Sequence, residues 1–233
     1  LEQLGITVCA HMQQVGAVTD VHLNDLFREK TQVEAILQNE LPCIDPQAAA
    51  LMRKTILSAK ERLDSVGGAV ECVVYGVPAG IGDPMFDGIE NRIAQIAFGI
   101  PAVKGLEFGA GFKVASMLGS QNNDAYRISN GRVCCQTNHA GGALGGITTG
   151  APIVFRVALK PTPSIAQEQQ SVNLPDGANA PLSVKGRHDP CIVARAVPVV
   201  EAAAALAVLD ALHEDGRFKV PPSPDFCPQR CSQ

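Results

Sequence analysis

The sequence contains little charge and no excess of basic residues. Only 18% of its 233 residues are charged and the formal net charge is -4, with an isoelectric point near 5.7. A nucleic-acid-binding protein usually presents a basic face, so the composition argues against that class. The apolar fraction of 46% excludes a disordered or fibrous chain and suffices for one globular domain, or at most two small ones. Any anionic ligand must therefore be bound by local arginines and lysines.

The sequence also lacks an apolar run that predicts a membrane span and a basic leader that predicts a signal peptide. The longest apolar run, at about 194–212, is interrupted by Arg195, Pro198, Glu201 and Asp210. The chain begins LEQLGITVCAHM, without an initiator methionine or a basic segment. We therefore expect a fragment that begins within a domain and carries no targeting segment.

The eight cysteines are too sparse for a disulfide scaffold. Most of them lie in apolar segments, which predicts reduced thiols in the core. Cys227 and Cys231, in the sequence CPQRC, are the exception, since they could pair or bind a metal. No second cluster completes a zinc site, so we predict no metal centre.

Hydrophobic periodicity predicts the order strand, helix, strand, helix, several strands, helix. Asp45 and Pro46 are typical of a helix start, with the aspartate as N-cap and the proline in the first turn. Predicted strands cover 5–15, 69–77, 102–117, 132–136 and 153–160, and predicted helices cover 31–38, 45–63, 85–98 and 192–213. This order indicates an α/β or an α+β fold without internal repeats.

The hexapeptide GRHDPC (186–191) places an arginine, a histidine and an aspartate at the head of the last predicted helix. A cation and a carboxylate beside apolar surface perturb each other's ionisation, and a helix start offers unpaired N–H groups to an anion. Arg187 and Asp189 are therefore the first functional candidates. The alternative is a structural Arg–Asp pair.

The segment KPTPSI (160–165) combines a fixed charge with hydroxyl groups. Lys160 precedes Thr162 and Ser164, and the prolines Pro161 and Pro163 hold the backbone extended. This combination suits a phosphate monoester bound without a P-loop. A solvated turn is the alternative.

The segment NHAGGALGGITTG (138–150) contains five glycines, which allow a flat ligand to approach the main chain. It matches neither the dinucleotide-binding fingerprint nor a P-loop, and tight turns alone would explain it. His139 within it is either a hydrogen-bonded structural residue or a ligand-binding one.

Six motifs occur in an order that resembles the chorismate synthase family. They are VPAGIGDPMFD (77–87), IPAVKGLEFGAGF (100–112), GSQNND (119–124), NHAGGALGGITTG, KPTPSI, and GRHDPC followed by RAVPVVEA (195–202). The resemblance extends to about His213. It implies an α+β fold, a sandwich of long helices with antiparallel β-sheets that is truncated at the N-terminus. On this basis 1–213 form a single domain and 214–233 a proline-rich surface tail.

The resemblance also implies a reaction, the 1,4-anti elimination of phosphate from 5-enolpyruvylshikimate 3-phosphate to give chorismate. The family needs reduced FMN, which carries the difficult chemistry while the protein supplies position and electrostatics. NADPH would be used only by bifunctional relatives. A homotetramer and a cytoplasmic location, or a plastid-like compartment in a plant or alga, are further expectations of this kind, as is the absence of nucleic-acid and membrane partners.

The same resemblance assigns roles to individual residues. Asp189 would face flavin N5 as the catalytic proton acceptor, Arg187 would contact flavin and substrate, and His139 would contact substrate. The remaining flavin-binding positions would be Pro101, Ala102, Gly145, Lys160, Pro161, Thr162, Pro163 and Ser164.

One departure from the family pattern limits these expectations. The family's GESHG-like and RSSARET-like motifs, its second catalytic histidine and its substrate-binding arginines do not occur in this sequence, and none of the five histidines lies in a motif that matches those of the family's catalytic histidines. We therefore expect the isolated chain to bind weakly and turn over slowly. The alternative function is a non-catalytic flavin-binding or oligomerisation module.

Overall fold

A computed structural model describes residues 1–23, 39–129, 131–186 and 188–216. The predicted helix at 31–38, Arg187, and Cys227 and Cys231 lie outside the described residues, as does nearly all of the predicted tail.

The described residues form four α-helices, eleven strands and three short 3-10 turns. The strands are β1 Thr7–Val15, β2 Val18–Thr19, β3 Gly68–Tyr75, β4 Val103–Phe108, β5 Tyr126–Ser129, β6 Arg132–Cys135, β7 Ala143–Leu144, β8 Ile147–Thr148, β9 Ile153–Leu159, β10 Gln169–Asn173 and β11 Ala178–Leu182. The helices are α1 Pro46–Glu61, α2 Ile89–Phe98, α3 Gly119–Asn122 and α4 Val193–Asp215, and the 3-10 turns are Glu2–Leu4, Met85–Asp87 and Gly111–Ser116.

Five strands form the central sheet, in the order β2-β1-β3-β9-β4. Every pairing within it is antiparallel. Three two-stranded hairpins, β5–β6, β7–β8 and β10–β11, lie outside this sheet. An antiparallel sheet with helices on it is α+β architecture, so the structure decides between the two fold classes that the element order had left open.

Helix α1 begins where the sequence predicts. Asp45 has an extended backbone and its carboxylate accepts the N–H of Gln47 at 2.9 Å, while Pro46 occupies the first turn, where its missing N–H costs nothing. This start is local chemistry between adjacent residues. It therefore needs no tertiary contact to be predictable.

One face of the sheet carries the main core. Val70, Cys72 and Val74 of β3 and Phe155 and Val157 of β9 are buried there. Helices α2 and α4 pack against this face and against each other. The buried side of α4 is rich in alanine, namely Ala196, Ala203, Ala204, Ala207 and Ala211. These small side chains allow the helix axis to approach the sheet closely.

Helix α4 is long and apolar enough to cross a membrane by length and composition. However, 50% of its most apolar window is buried within the protein, and the core helix of a soluble protein passes the same test. The finding is therefore weak support for a membrane span.

The predicted strand at 102–117 is shorter than expected. It ends at Phe108, and the chain then enters the 3-10 turn Gly111–Ser116. Gly109 and Gly111 have φ values of 54° and 57°, and a Cβ on Gly109 would lie 2.1 Å from the carbonyl oxygen of His139. Glu107 accepts the N–H of Phe112 and so stabilises the bend. The glycines turn the chain out of the sheet rather than bending the strand within it.

The opposite face of the sheet carries a ladder of charged side chains. His11 of β1 lies opposite Glu71 of β3, Glu71 opposite Arg156 of β9, and Arg156 opposite Glu107 of β4. His11 Nε2 is 3.2 Å from Glu71 Oε2, and Arg156 Nε donates to Glu107 Oε1 at 2.6 Å. Arg156 Nη1 also lies 3.4 Å from Glu71 Oε1. We call these four residues the charge ladder.

The cysteines partly follow the expectation of core thiols. Cys9, Cys43 and Cys72 are buried, and burial raises the pKa of both Cys9 and Cys43 to about 12. Cys134 differs, because it lies exposed on the β5–β6 hairpin.

Candidate active site

Two of the predicted flavin-binding segments are adjacent at one end of the sheet. The lysine loop, residues 160–165, follows β9 directly, and Pro101 and Ala102 precede β4, the neighbour of β9. The N–H of Lys160 donates to the carbonyl oxygen of Ala102 at 2.9 Å. The antiparallel pairing of β4 with β9 brings them together, since the start of one strand lies beside the end of the other.

The segment that precedes α4 reaches the same place. Pro190 accepts the N–H of Val66 at 2.8 Å, and the hydroxyl of Ser65, the preceding residue, donates to the carbonyl oxygen of Thr162 at 2.6 Å. A cavity of about 260 Å³ lies between them, with Ser65, Ile165 and Pro190 in its lining. The lysine loop and the residues before α4 therefore meet across one turn, although they are far apart in sequence.

Asp189 lies at the surface of this region. Its side chain is 37% exposed and forms an ion pair with Arg195 in the first turn of α4. The sequence had suggested Arg187 as the neighbouring guanidinium, and that residue is outside the described part of the chain. The sequence did contain a signal for this ion pair, because Arg195 lies six residues after Asp189 and falls on the first turn of the predicted helix.

The lysine loop and its neighbour show two features that fit a bound cofactor. The hydroxyl oxygen of Thr162 is buried and has no hydrogen-bond partner among the described residues. Ala102 adopts φ 73°, which is unusual for a residue other than glycine. An unpaired buried hydroxyl costs about 1–3 kcal/mol, and such backbone strain costs a similar amount. A ligand that bonds to Thr162 would recover part of that cost, so these residues fit a phosphate-bearing group.

Gly145 lies at the other end of the sheet. Gly141 accepts the N–H of Val154 at the start of β9, whereas Lys160 follows the end of this seven-residue strand. At about 3.3 Å per residue, these ends are about 20 Å apart. Gly145 itself has φ 60° and open space around its Cα, and it lines a cleft of about 590 Å³. One copy of the chain does not bring Gly145 to the lysine loop.

His139 lies on the Gly145 side. Asp124 accepts its backbone N–H at 2.7 Å and that of Ala140 at 2.9 Å. The ring Nδ1 is 3.3 Å from the carbonyl oxygen of Asn122 and 3.6 Å from Asp124 Oδ1. These contacts fit the hydrogen-bonded structural role, and the contact of His139 with substrate stays a prediction.

A longer cleft of about 660 Å³ runs along the face of the sheet that carries the charge ladder. At one end it is lined by Gly105 and Ala158, two residues before Lys160, and at the other by His139. Arg156 and Glu107 of the ladder line it between these ends. The cleft therefore runs from the strand residues next to the lysine loop to the His139 region, over two members of the charge ladder.

Comparison with known proteins identifies the family. The model of the chorismate synthase family matches residues 1–213. The chain belongs to the chorismate synthase family. Two curated relatives named chorismate synthase are similar over most of the chain. The protein of Lancefieldella parvula is 48% identical over 223 residues, covering 91% of this chain and 59% of the relative, and that of Methanosarcina mazei is 44% identical over 216 residues, covering 93% and 58%.

A solved chorismate synthase structure has the same fold. It superposes with a TM-score of 0.73 at 29% sequence identity and covers 92% of this chain and 59% of that one. The family and the α+β class predicted from the motifs are thus confirmed. The chain spans about three fifths of the length of these chorismate synthase relatives.

Proposed function

We propose that the protein takes part in the 1,4-anti elimination of phosphate from 5-enolpyruvylshikimate 3-phosphate, which gives chorismate, with reduced FMN as cofactor. The observation that supports this most is the meeting of the lysine loop, Ala102 and the segment before α4 at one end of the sheet. These three segments carry most of the family's flavin-binding motifs, and the fold assembles them from distant parts of the sequence.

In this proposal the lysine loop holds the cofactor. Lys160 is exposed and brings a positive charge, and the buried hydroxyl of Thr162 offers an unused hydrogen-bonding group. Pro161 and Pro163 keep the loop extended, so that these groups are presented with little loss of conformational entropy. Reduced FMN, when bound, would supply electron density as phosphate departs and recover it as the ring proton leaves.

Asp189 is the proposed proton acceptor of the site. Its carboxylate is partly exposed and is oriented by Arg195, so it is accessible to a ligand and fixed in direction. A carboxylate held this way can receive a proton at a defined position, which is what general base catalysis requires. Arg187, two residues earlier, would contact cofactor and substrate.

The proposal includes a homotetramer. Gly145 is exposed and belongs to the segment at the opposite end of β9 from the lysine loop of the same copy. Association of copies would allow Gly145 of one to approach the flavin site of another. We also propose a cytoplasmic or plastid-like location, slow turnover by this chain alone, and use of NADPH only if the protein is bifunctional.

The second candidate is a non-catalytic flavin-binding or oligomerisation module. The chain covers only 59% and 58% of the two relatives described above, and the family's N-terminal catalytic motifs do not occur in its sequence. A module of this kind would keep the flavin-binding end of the sheet without turnover.

Anaerobic titration with reduced FMN, with and without substrate, tests the proposal. We expect a perturbed flavin absorption spectrum and slow release of phosphate. Asp189→Asn should reduce phosphate release at least tenfold and leave the flavin dissociation constant within about twofold. The matched control is Asp210→Asn, because Asp210 also pairs with an arginine, Arg92, but on a distant part of α4.

Three results would decide the matter differently. Flavin binding without phosphate release favours the module. Undiminished release by Asp189→Asn removes that residue from its proposed role. No flavin binding by the chain contradicts the proposed elimination and a flavin-binding module, and leaves the oligomerisation module.

A further inference from the structure

The turn between α1 and β3, residues 62–67, contacts both halves of the proposed flavin site. Ser65 donates its hydroxyl to the carbonyl oxygen of Thr162 at 2.6 Å, and Val66 donates its N–H to that of Pro190 at 2.8 Å. Adjacent residues thus hold the lysine loop and the segment that contains Asp189. None of the motifs that carry the family resemblance includes this turn.

The same turn also contacts the chain on both sides of the lysine loop. Beyond the loop, Gln167 donates its N–H to Leu63 at 3.3 Å and its side-chain amide to Arg62 at 2.6 Å. Before the loop, Gly67 packs so closely that a Cβ there would lie 2.5 Å from the carbonyl oxygen of Leu159. The loop is therefore held at its start, in its middle and after its end.

The turn has its own internal support. The carboxylate of Asp64 accepts the N–H of Ser65 at 2.8 Å. The N–H of Leu63, which adopts φ 57°, donates to Lys60 at 3.0 Å, and Gly67 accepts the N–H of Gly16 on the neighbouring strand pair at 3.0 Å. A residue other than glycine at positive φ is retained where surrounding contacts fix the backbone. Ser65 is thus presented by a fixed backbone.

We propose that Ser65 is a positioning residue for the flavin site, which sets the orientation of Thr162 and couples the lysine loop to the Asp189 segment. The inference rests on the proposed function. Thr162 is the residue whose buried hydroxyl has no partner among the described residues, and Ser65 bonds the carbonyl group of that same residue. Loss of the Ser65 hydroxyl would remove the contact in the middle of the lysine loop and loosen Thr162 relative to the Asp189 segment, which Val66 would still hold through Pro190.

The test compares Ser65→Ala, Ser65→Thr and a control, Ser116→Ala. Ser116 also donates its hydroxyl to a carbonyl oxygen, that of Lys113 at 2.9 Å, but within the 3-10 turn Gly111–Ser116 and without contact to Thr162. Two quantities are measured for each variant of this chain. The first is hydrogen exchange, without flavin, of the Lys160 and Ile165 amides of the lysine loop, which donate to Ala102 at 2.9 Å and to Pro163 at 3.1 Å. The second is the dissociation constant of reduced FMN under anaerobic conditions.

Ser65→Ala should accelerate exchange of these amides and raise the dissociation constant, each about fivefold. A fivefold change corresponds to about 1 kcal/mol, the net contribution of one ordinary hydrogen bond. Ser65→Thr keeps the hydroxyl and should restore both values, and Ser116→Ala should change neither.

Hydrogen exchange separates failure of this inference from failure of the proposed function. Unchanged exchange in Ser65→Ala overturns the inference, and so does faster exchange with an unchanged flavin dissociation constant. Faster exchange in a protein that binds no flavin in any variant contradicts the proposed function, while it supports the coupling of the two segments through Ser65.

Discussion

Replacement of His11 by leucine should destabilise the protein strongly, because two buried carboxylates share this one ring. His11 and Glu71 are fully buried, and Asp20 is nearly so. His11 Nδ1 is 3.1 Å from Asp20 Oδ2, and Nε2 is 3.2 Å from Glu71 Oε2. Removing one partner of a buried charge pair typically costs about 3–5 kcal/mol.

The lower part of that range is the better expectation for His11→Leu, since both carboxylates keep other donors. Asp20 accepts N–H groups from Val21, Ile44 and Asp45, and Glu71 accepts one from Leu23. We therefore expect a loss of about 3 kcal/mol.

The control for this change is His22→Leu. His22 contacts the same Glu71 at 2.9 Å, but its side chain is 41% exposed. Its loss should cost about 1 kcal/mol or less, because solvent screens an exposed pair. Both values are measured by urea unfolding with fixed buffer and salt.

The effect of His11→Leu should also depend on pH. Burial alone would lower the pKa of His11, but its hydrogen bonds to Asp20 and Glu71 outweigh burial and raise the pKa above 6.5. A raised histidine pKa stabilises the fold fully below pH 6.5, and this contribution is lost as pH rises through the folded value. Burial would raise the pKa of Glu71, yet the hydrogen bonds from His11 and His22 lower it to about 2.

The contribution of Glu71 is therefore present above pH 4.5 and lost as pH falls toward 2. The difference in the free energy of unfolding between wild type and His11→Leu should be largest between pH 4.5 and pH 6.5. As the pH rises further and His11 loses its proton, this difference should decrease by up to about 1.4 kcal/mol per pH unit. A gap below about 1 kcal/mol would refute the stabilising role of His11. A difference that stays constant from about pH 5 to about pH 9 would show that His11 does not stabilise the fold through a positive charge.

Three further substitutions test other contacts. Gly67→Ala should lower the melting temperature through a loss of about 1–3 kcal/mol, since the new Cβ would lie 2.5 Å from the oxygen of Leu159, and an unchanged melting temperature contradicts this. Thr162→Val should stabilise the fold by about 1 kcal/mol in urea unfolding and should weaken the binding of reduced FMN. If binding is not weakened, the Thr162 hydroxyl does not contact the cofactor. Glu201 accepts the N–H of Ala10 at 2.7 Å, and burial raises its pKa above 4.5. Glu201→Gln keeps the acceptor without the charge, so its stability relative to wild type should increase as pH rises above 4.5, and a pH-independent difference in urea unfolding would count against this.

Local sequence chemistry predicted the parts of the fold that depend on neighbouring residues. The start of α1 at Asp45 and Pro46 is one example, and the extended run that became β9 is another. The hairpins β7–β8 and β10–β11 were not predicted, since two strands of two residues and polar strands of five give little periodic signal.

The charge ladder could not be predicted, because it depends on strand register. His11 and Glu71 are 60 positions apart in sequence, and a shift of one residue in the pairing would turn one of them to the helix-covered face. The same reason applies to Ser65, which bonds a residue 97 positions away. Family resemblance identified the lysine loop, and only the folded chain shows that a turn outside every motif holds it.

The position of Gly145 shows how a linear list of motifs differs from a site. All the motifs fall in the order that the resemblance requires, yet β9 separates the glycine-rich segment from the lysine loop by its full length of seven residues. An antiparallel strand necessarily places its two flanking segments at opposite ends of the sheet. Segments on either side of β9 can therefore contribute to one flavin site only along the cleft over the charge ladder or through a second copy of the chain. The first route requires a ligand whose ring and phosphate-bearing chain together extend along the cleft, whereas the second requires that the exposed Gly145 surface of one copy meets the lysine loop of another, as the proposed homotetramer would allow.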